Sequence, residues 1–139
     1  MLKKTYLILF IPYTILLLYL LFLGFGRIQY EENIVRLVPI KSTYVFIQKS
    51  ILWQNIIINI LGNIIMFIPF GFLGWALPTL KDLKTLILNF LFVIIMVEAL
   101  QYFTRMGIFD IDDIFLNTFG VWIGFKIFQW INKKFYKIK

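Results

Sequence analysis

Apolar residues along the chain gather into four long runs separated by polar punctuation. The first, YLILFIPYTILLLYLLFLGF, runs from Tyr6 to Phe25 and carries no charge. The second extends from about Trp53 to Leu77, and within it NIIINILGNIIMFIPFGFLGWAL is apolar apart from asparagines. The third, LKTLILNFLFVIIMVEALQY, covers Leu83 to Tyr102, and the fourth, IFLNTFGVWIGFKIFQWI, covers Ile114 to Ile131. A helix needs roughly 20 mostly apolar residues to cross a bilayer, and all four runs come near that length. The pattern therefore predicts an all-α fold, an integral membrane bundle of four transmembrane helices in a single domain over residues 1–139. Pro69 and Gly71 predict a kink or break near the end of the second helix, and Pro12 a slight bend in the first.

The connections between the runs are uneven. Gly26 to Leu52 is long and contains RLVPIKSTYVFIQKS, the PTLKD turn is short, and RMGIFDIDD joins the third run to the fourth. Lys3 and Lys4 precede the first run as they would in a signal peptide. That run is longer than an ordinary signal h-region, and GFGRIQY offers no small-x-small cleavage site, so the first helix is expected to remain as an anchor.

Composition supports a membrane solvent. The chain is 61% hydrophobic and 15% charged, against about a quarter charged in soluble domains. It contains no cysteine and no histidine, which excludes disulfides, thiolate chemistry and every histidine-dependent triad. The net charge of +7 fits cytoplasmic loops of a membrane protein. No basic stripe interleaved with exposed aromatics suggests nucleic acid as a partner.

Lysine and arginine counts set the expected orientation. With the N-terminus inside, Lys3, Lys4, Lys81, Lys84, Lys133, Lys134, Lys137 and Lys139 are cytoplasmic, eight in all, against five outside: Arg27, Arg36, Lys41, Lys49 and Arg105. The expectation is a multi-pass plasma-membrane protein with both termini cytoplasmic.

The polar residues left inside the apolar runs carry the candidate chemistry. Glu98, Gln101 and Arg105 are spaced i, i+3, i+7 and share one helical face. Asp113, Asn117, Gly120 and Gly124 share another, and Asn55, Asn59 and Asn63 step by four along the second helix. Connectivity places all three stripes in the same half of the bilayer, whichever way the protein is inserted. Burying a charge in the bilayer costs about 2.5–3.5 kcal/mol at its centre on insertion scales, so these groups should face one another or a wet cavity. Arg105 is the expected counter-ion for Asp110, Asp112 or Asp113. Gly120 and Gly124 form a small-xxx-small spacing that would let helices approach closely. Simpler readings stand beside these: the asparagines could be interhelical glue, and Asp110 taken alone is better read as an N-cap of the fourth helix.

Two stretches together resemble a known family. NILGNIIMFIPFGFLGWALP, Asn59 to Pro78, followed by EALQYFTRMGIFDIDDIFLNTFGVWIGF, Glu98 to Phe125, is similar to the VanZ-like membrane proteins: an asparagine-rich helix ending in F-x-P-x-G, then E-x-x-Q, then an arginine before D-I-D-D-x-x-x-N-x-x-G-x-x-x-G. RLVPIKS resembles the family's segment before the second helix, so the likeness spans about Arg36 to Phe125. The resemblance implies a small helical bundle in the plasma membrane. The family takes its name from a protein that raises resistance to the glycopeptide teicoplanin in Gram-positive bacteria.

With the stripes, the resemblance points to an outer-facing polar pocket built from Asn59, Asn63, Glu98, Gln101, Arg105, Asp110, Asp112, Asp113 and Asn117. Besides the lipid bilayer, the expected partner is a lipid-linked cell-wall precursor, a lipid headgroup or a glycopeptide. No cofactor or resident metal is expected, and the oligomeric state stays open. Two alternatives are an intramembrane enzyme, with Mg²⁺ on the carboxylates acting on a polyprenyl or lipid phosphate, and a small proton-coupled transporter with Glu98 as the titrating group.

Overall fold

A computed structural model describes residues 2–24, 26, 28–39, 44, 48 and 53–136, with the backbone alone for 53–59, 135 and 136. The expected side-chain roles of Asn55 and Asn59 therefore lie outside the described residues. Helix α1 spans Leu2–Phe22. A two-residue strand β1, Val35–Arg36, lies in the first loop. Helix α2 spans Trp53–Gly71 and is followed at once by the short α3, Leu73–Ala76, and a 3-10 turn, Pro78–Leu80. Helix α4 covers Leu83–Thr104, β2 covers Phe109–Asp110, and α5 runs Ile111–Tyr136. The protein is an all-α membrane bundle.

Leu2–Phe22, Leu83–Thr104 and Ile111–Lys134 are each long and apolar enough to cross a membrane, whereas Ile60–Ala76 is a shorter apolar stretch. Those bounds are of the described residues: the side chains of 53–59 lie outside them, α2 itself spans Trp53–Gly71, and all four helices that the apolar runs predict are present. The α2 run is interrupted at Gly71, where the helix ends and Phe72 N–H turns back to the Pro69 carbonyl at 3.1 Å. Proline's missing N–H and its ring act on the preceding turn, yet the helix continues through Pro69 to Gly71, so the predicted break falls just past the proline. The 19 residues of α2 still rise about 28 Å at 1.5 Å per residue. Helix α1 continues through Pro12 without interruption.

The helices turn apolar faces outward. Ile8, Leu9, Ile15, Phe92, Phe103 and Phe119 are all exposed, an arrangement that is stable only when the surrounding solvent is itself apolar. The inward face of α1 reads Tyr6, Phe10, Tyr13, Leu17, a strict i, i+4, i+7, i+11 stripe. Tyr6 Oη donates to the Pro69 carbonyl at 2.8 Å and Tyr13 Oη to the Met66 carbonyl at 2.6 Å. The Phe10 ring meets Phe70 edge-on at 4.8 Å. The tyrosines thus hydrogen-bond carbonyls of α2 beside its break. That matters in hydrocarbon, where water is not available to do so.

The core lies where α2, α4 and α5 meet, around Phe67, Leu86, Phe90, Ile94, Val121 and Phe125. Helices α2 and α5 approach backbone to backbone. A Cβ added to Gly120 would collide with the Ile64 carbonyl oxygen, and one on Gly124 with the Ile68 carbonyl oxygen. The close approach inferred from the Gly120–Gly124 spacing is therefore real, and Gly71 continues it from the α2 side against Val121 and Phe125.

The first loop fastens the same end of the bundle that carries the polar residues. Its strand β1 pairs in parallel with β2, Val35 opposite Phe109 and Arg36 opposite Asp110. It also caps the C-terminus of α4, whose last carbonyls have no partner within the helix. Asn33 Nδ2 donates to the Tyr102 carbonyl at 3.0 Å, Gln29 Nε2 to the Thr104 carbonyl at 3.0 Å, and Tyr30 N–H to the Arg105 carbonyl at 2.9 Å.

Candidate functional site

The site is assembled at one corner, where α4 ends, β2 turns and α5 begins. Asp110 closes β2 and stands as the N-cap of α5: its Oδ1 accepts the Asp112 N–H at 3.0 Å. The capping expected of Asp110 is what the structure shows. In a capping box the side chain at the third helical position reaches back to the N-cap N–H. Here Glu98, from α4, takes that role: the Asp110 N–H donates to Glu98 Oε2 at 3.2 Å. The residue at the third position, Asp113, instead meets α2, accepting from Asn63 Nδ2 at 2.8 Å. Two carboxylates in the first turn of α5, Asp112 and Asp113, also lie where the helix dipole favours negative charge.

Glu98 is 3% exposed, and Asp110, Asp112, Gln101 and Asn117 are buried with it. Asn117 lies one turn beyond Asp113 on α5, is 2% exposed, and its Oδ1 has no hydrogen-bond partner among the described residues. A buried amide oxygen in that condition costs on the order of 1–3 kcal/mol, and the fold retains it beside the carboxylates.

The cation at this corner is not the one the sequence suggested. Arg105 was expected to neutralise the aspartates. Its backbone adopts φ 58, the left-handed conformation, as the residue closing α4. The helical face that joins Glu98 to Gln101 therefore does not extend to it. Its guanidinium is exposed and donates from Nη1 to the Glu31 carbonyl at 3.0 Å. Arg36 pairs with Asp110 instead, Nη1 to Oδ2 at 3.5 Å, brought there by the β1–β2 register. The Arg36 side chain is 48% exposed while that of Asp110 is 8%, so a buried carboxylate anchors a guanidinium whose other face is open.

Of the expected site residues, Asn63, Glu98, Asp110, Asp112, Asp113 and Asn117 gather at this corner. Gln101 is buried but turned to α1, donating from Nε2 to the Leu21 carbonyl at 2.9 Å, and its side chain fills the space over Gly107. It fastens α1 to α4 beside the cluster. Asn59 lies in α2, one turn before Asn63, with its side chain outside the described residues. Among the described residues, no three carboxylates are placed to share one metal ion. Arg36 was missed as a site residue because a lone arginine in a polar loop has no periodicity to mark its partner. Its nearest signal was its place at the head of RLVPIKS.

Fold and site together define a small helical membrane protein with a buried carboxylate–amide cluster at one end of its bundle and one guanidinium at the rim. The VanZ/LLP1 family model matches residues 10–132, and the chain belongs to that family. No curated protein and no solved structure gives a match.

Proposed function

We propose that this VanZ-like protein acts in the cell envelope as a binding protein without catalytic chemistry. It lowers susceptibility to teicoplanin by engaging a lipid-linked wall precursor, a lipid headgroup or the antibiotic at the Arg36 rim of the polar cluster. The protein would lie in the plasma membrane, multi-pass, with both termini cytoplasmic and this corner facing out. The observation that carries the reading is the Arg36–Asp110 pair. A planar guanidinium can bind a carboxylate or phosphate through two parallel N–H bonds. Asp110 touches it through one nitrogen and so orients it without enclosing it. The Glu98 contact and the cap in turn fix Asp110, so the ligand would meet a pre-positioned donor.

The enzyme and carrier alternatives draw less support. The four carboxylates are spread along a helix start and a neighbouring helix, and Glu98 has a structural role as acceptor for the Asp110 N–H.

The test is a teicoplanin titration in a sensitive Gram-positive host, with wild type, Arg36→Gln and Asp112→Asn at matched membrane levels. Wild type should protect and Arg36→Gln should not. Equal protection by wild type and both variants would make the cluster purely structural. No protection by wild type would sink the envelope-resistance reading itself.

A further inference from the structure

The opposite end of the bundle holds a groove that the polar cluster does not explain. It has a volume of about 750 Å³, within the range of sites that hold small molecules. Four elements wall it: the start of α1, α3, the turn after α3 and the last part of α5. Lys3, Trp75, Lys81, Phe128 and Asn132 supply its chemistry. Among the described residues, both of its charged lining residues are lysines and no carboxylate lines it. The nearest acid in sequence, Asp82, is turned away as the N-cap of α4, accepting the Thr85 N–H at 3.0 Å and the Thr85 hydroxyl at 3.2 Å. The Lys3 ammonium lies 5.7 Å from the Trp75 ring centroid, and the Trp75 ring packs on Phe128 at 6.5 Å. A cation over an aromatic wall, with a second lysine on the same lining, thus stands at the level where α1 and α4 begin and α5 ends. With those helices spanning a bilayer, that level falls at its polar interface, where lysine and tryptophan accumulate.

We propose that this groove is a binding site for the phosphate headgroup of an anionic phospholipid, Lys3 and Lys81 meeting the phosphate and Trp75 with Phe128 lining the path of the glycerol and first acyl methylenes. A phosphate diester matches the two ammonium groups in charge, and the amide of Asn132 adds a donor. The apolar half of the lining favours a lipid over a free phosphate, which would leave that wall unused. The site is separate from the Arg36 corner and does not depend on the function proposed for it.

The experiment uses full-length protein in mixed micelles containing equal phosphatidylglycerol and phosphatidylcholine, with retained lipid counted by native mass spectrometry. Wild type should retain phosphatidylglycerol in clear preference. One lysine near an anionic surface contributes about fivefold in affinity, so Lys3→Gln with Lys81→Gln should weaken retention about twenty-five-fold. Lys3→Arg with Lys81→Arg should preserve it, and so should Lys133→Gln with Lys134→Gln, which removes the same charge outside the groove. Asn132→Glu, which places a like charge against the phosphate, should abolish it with helicity unchanged. Equal retention of phosphatidylcholine, equal loss in the Lys133/Lys134 variant, or retention undiminished in Asn132→Glu would each overturn the proposal. So would inorganic phosphate or glycerol phosphate displacing the lipid at comparable concentration, since the groove would then belong to a soluble phosphate.

Discussion

Substitutions at Asp110 separate two contributions that one carboxylate makes. One oxygen caps α5 by accepting the Asp112 N–H at 3.0 Å, and the other meets Arg36 at 3.5 Å. Its backbone N–H, bound to Glu98, survives any side-chain change. Asparagine ranks with aspartate as an N-cap, whereas alanine forfeits the bond at a cost of about 1 kcal/mol, up to 2. The ion pair must be discounted because Arg36 is 48% exposed, and pairs open to solvent contribute about 0–1 kcal/mol. Asp110→Asn should therefore cost about 0.5 kcal/mol, chiefly the lost pair. Asp110→Ala should cost about 1.5–2.5 kcal/mol, the cap added to the pair. Reversible unfolding in mixed micelles, followed by tryptophan fluorescence and circular dichroism, can resolve that gap. The reasoning fails if asparagine costs as much as alanine, for then charge rather than capping holds the corner. It fails equally if alanine costs nothing measurable.

Three further outcomes follow from other parts of the fold. Gly62→Ala and Gly124→Ala make the same chemical change within helices but should move stability in opposite directions. Among the described residues a Cβ on Gly62 meets only Met66 Cε, at 4.0 Å, and gains up to about 1 kcal/mol of helix propensity. One on Gly124 lies 3.2 Å from Gly71 Cα and strikes the Ile68 carbonyl, costing about 2 kcal/mol net from overpacking against backbone; micelle unfolding midpoints should show the opposed shifts. Asn63→Leu removes the α2 donor to Asp113. In a double-mutant cycle with Asp113→Ala, which removes the acceptor, the coupling should lie near 0.6–1.7 kcal/mol, the range of interhelical hydrogen bonds in membranes, and a coupling of zero would dissolve that contact. The Thr85 backbone N–H holds the Asp82 carboxyl below its usual range. Its cap on α4 is therefore present above the ordinary carboxylate pKa and lost as pH falls through the lowered folded value, so hydrogen exchange in the first turn of α4 should accelerate only below about pH 4.

Much of the fold is legible in the sequence because hydrocarbon imposes a length and a composition on anything that crosses it. The apolar runs mark the helices without any knowledge of their partners, and Pro69 with Gly71 marks the neighbourhood of the break, which falls at Gly71. The boundaries were less legible. Helix α1 starts at Leu2 rather than Tyr6, and α5 extends from Ile111 to Tyr136, beyond the apolar limits at Ile114 and Ile131. Helical hydrogen bonding continues where hydrophobicity stops, and polar ends such as Asp112 and Lys133 sit well at the helix poles. The inward stripe of α1 was invisible for another reason. Tyrosines among leucines read as apolar until α2 presents the Met66 and Pro69 carbonyls that they hydrogen-bond.

The candidate site divides along the same line. Glu98, Asp110 and Asp113 could be grouped from spacing and connectivity because adjacent helix ends must share a membrane face. Assigning their cation required geometry that spacing does not contain. Arg105 is five residues from Asp110 in sequence, yet the turn that ends α4 carries its side chain to Glu31. Arg36 is 74 residues from Asp110, and two residues of strand pairing set it opposite. The strand is short, but its register decides which arginine faces the carboxylates. A one-residue slip in a parallel pair turns the side chain to the other face, so the pairing of Arg36 with Asp110 rests on that register as much as on the charges it aligns.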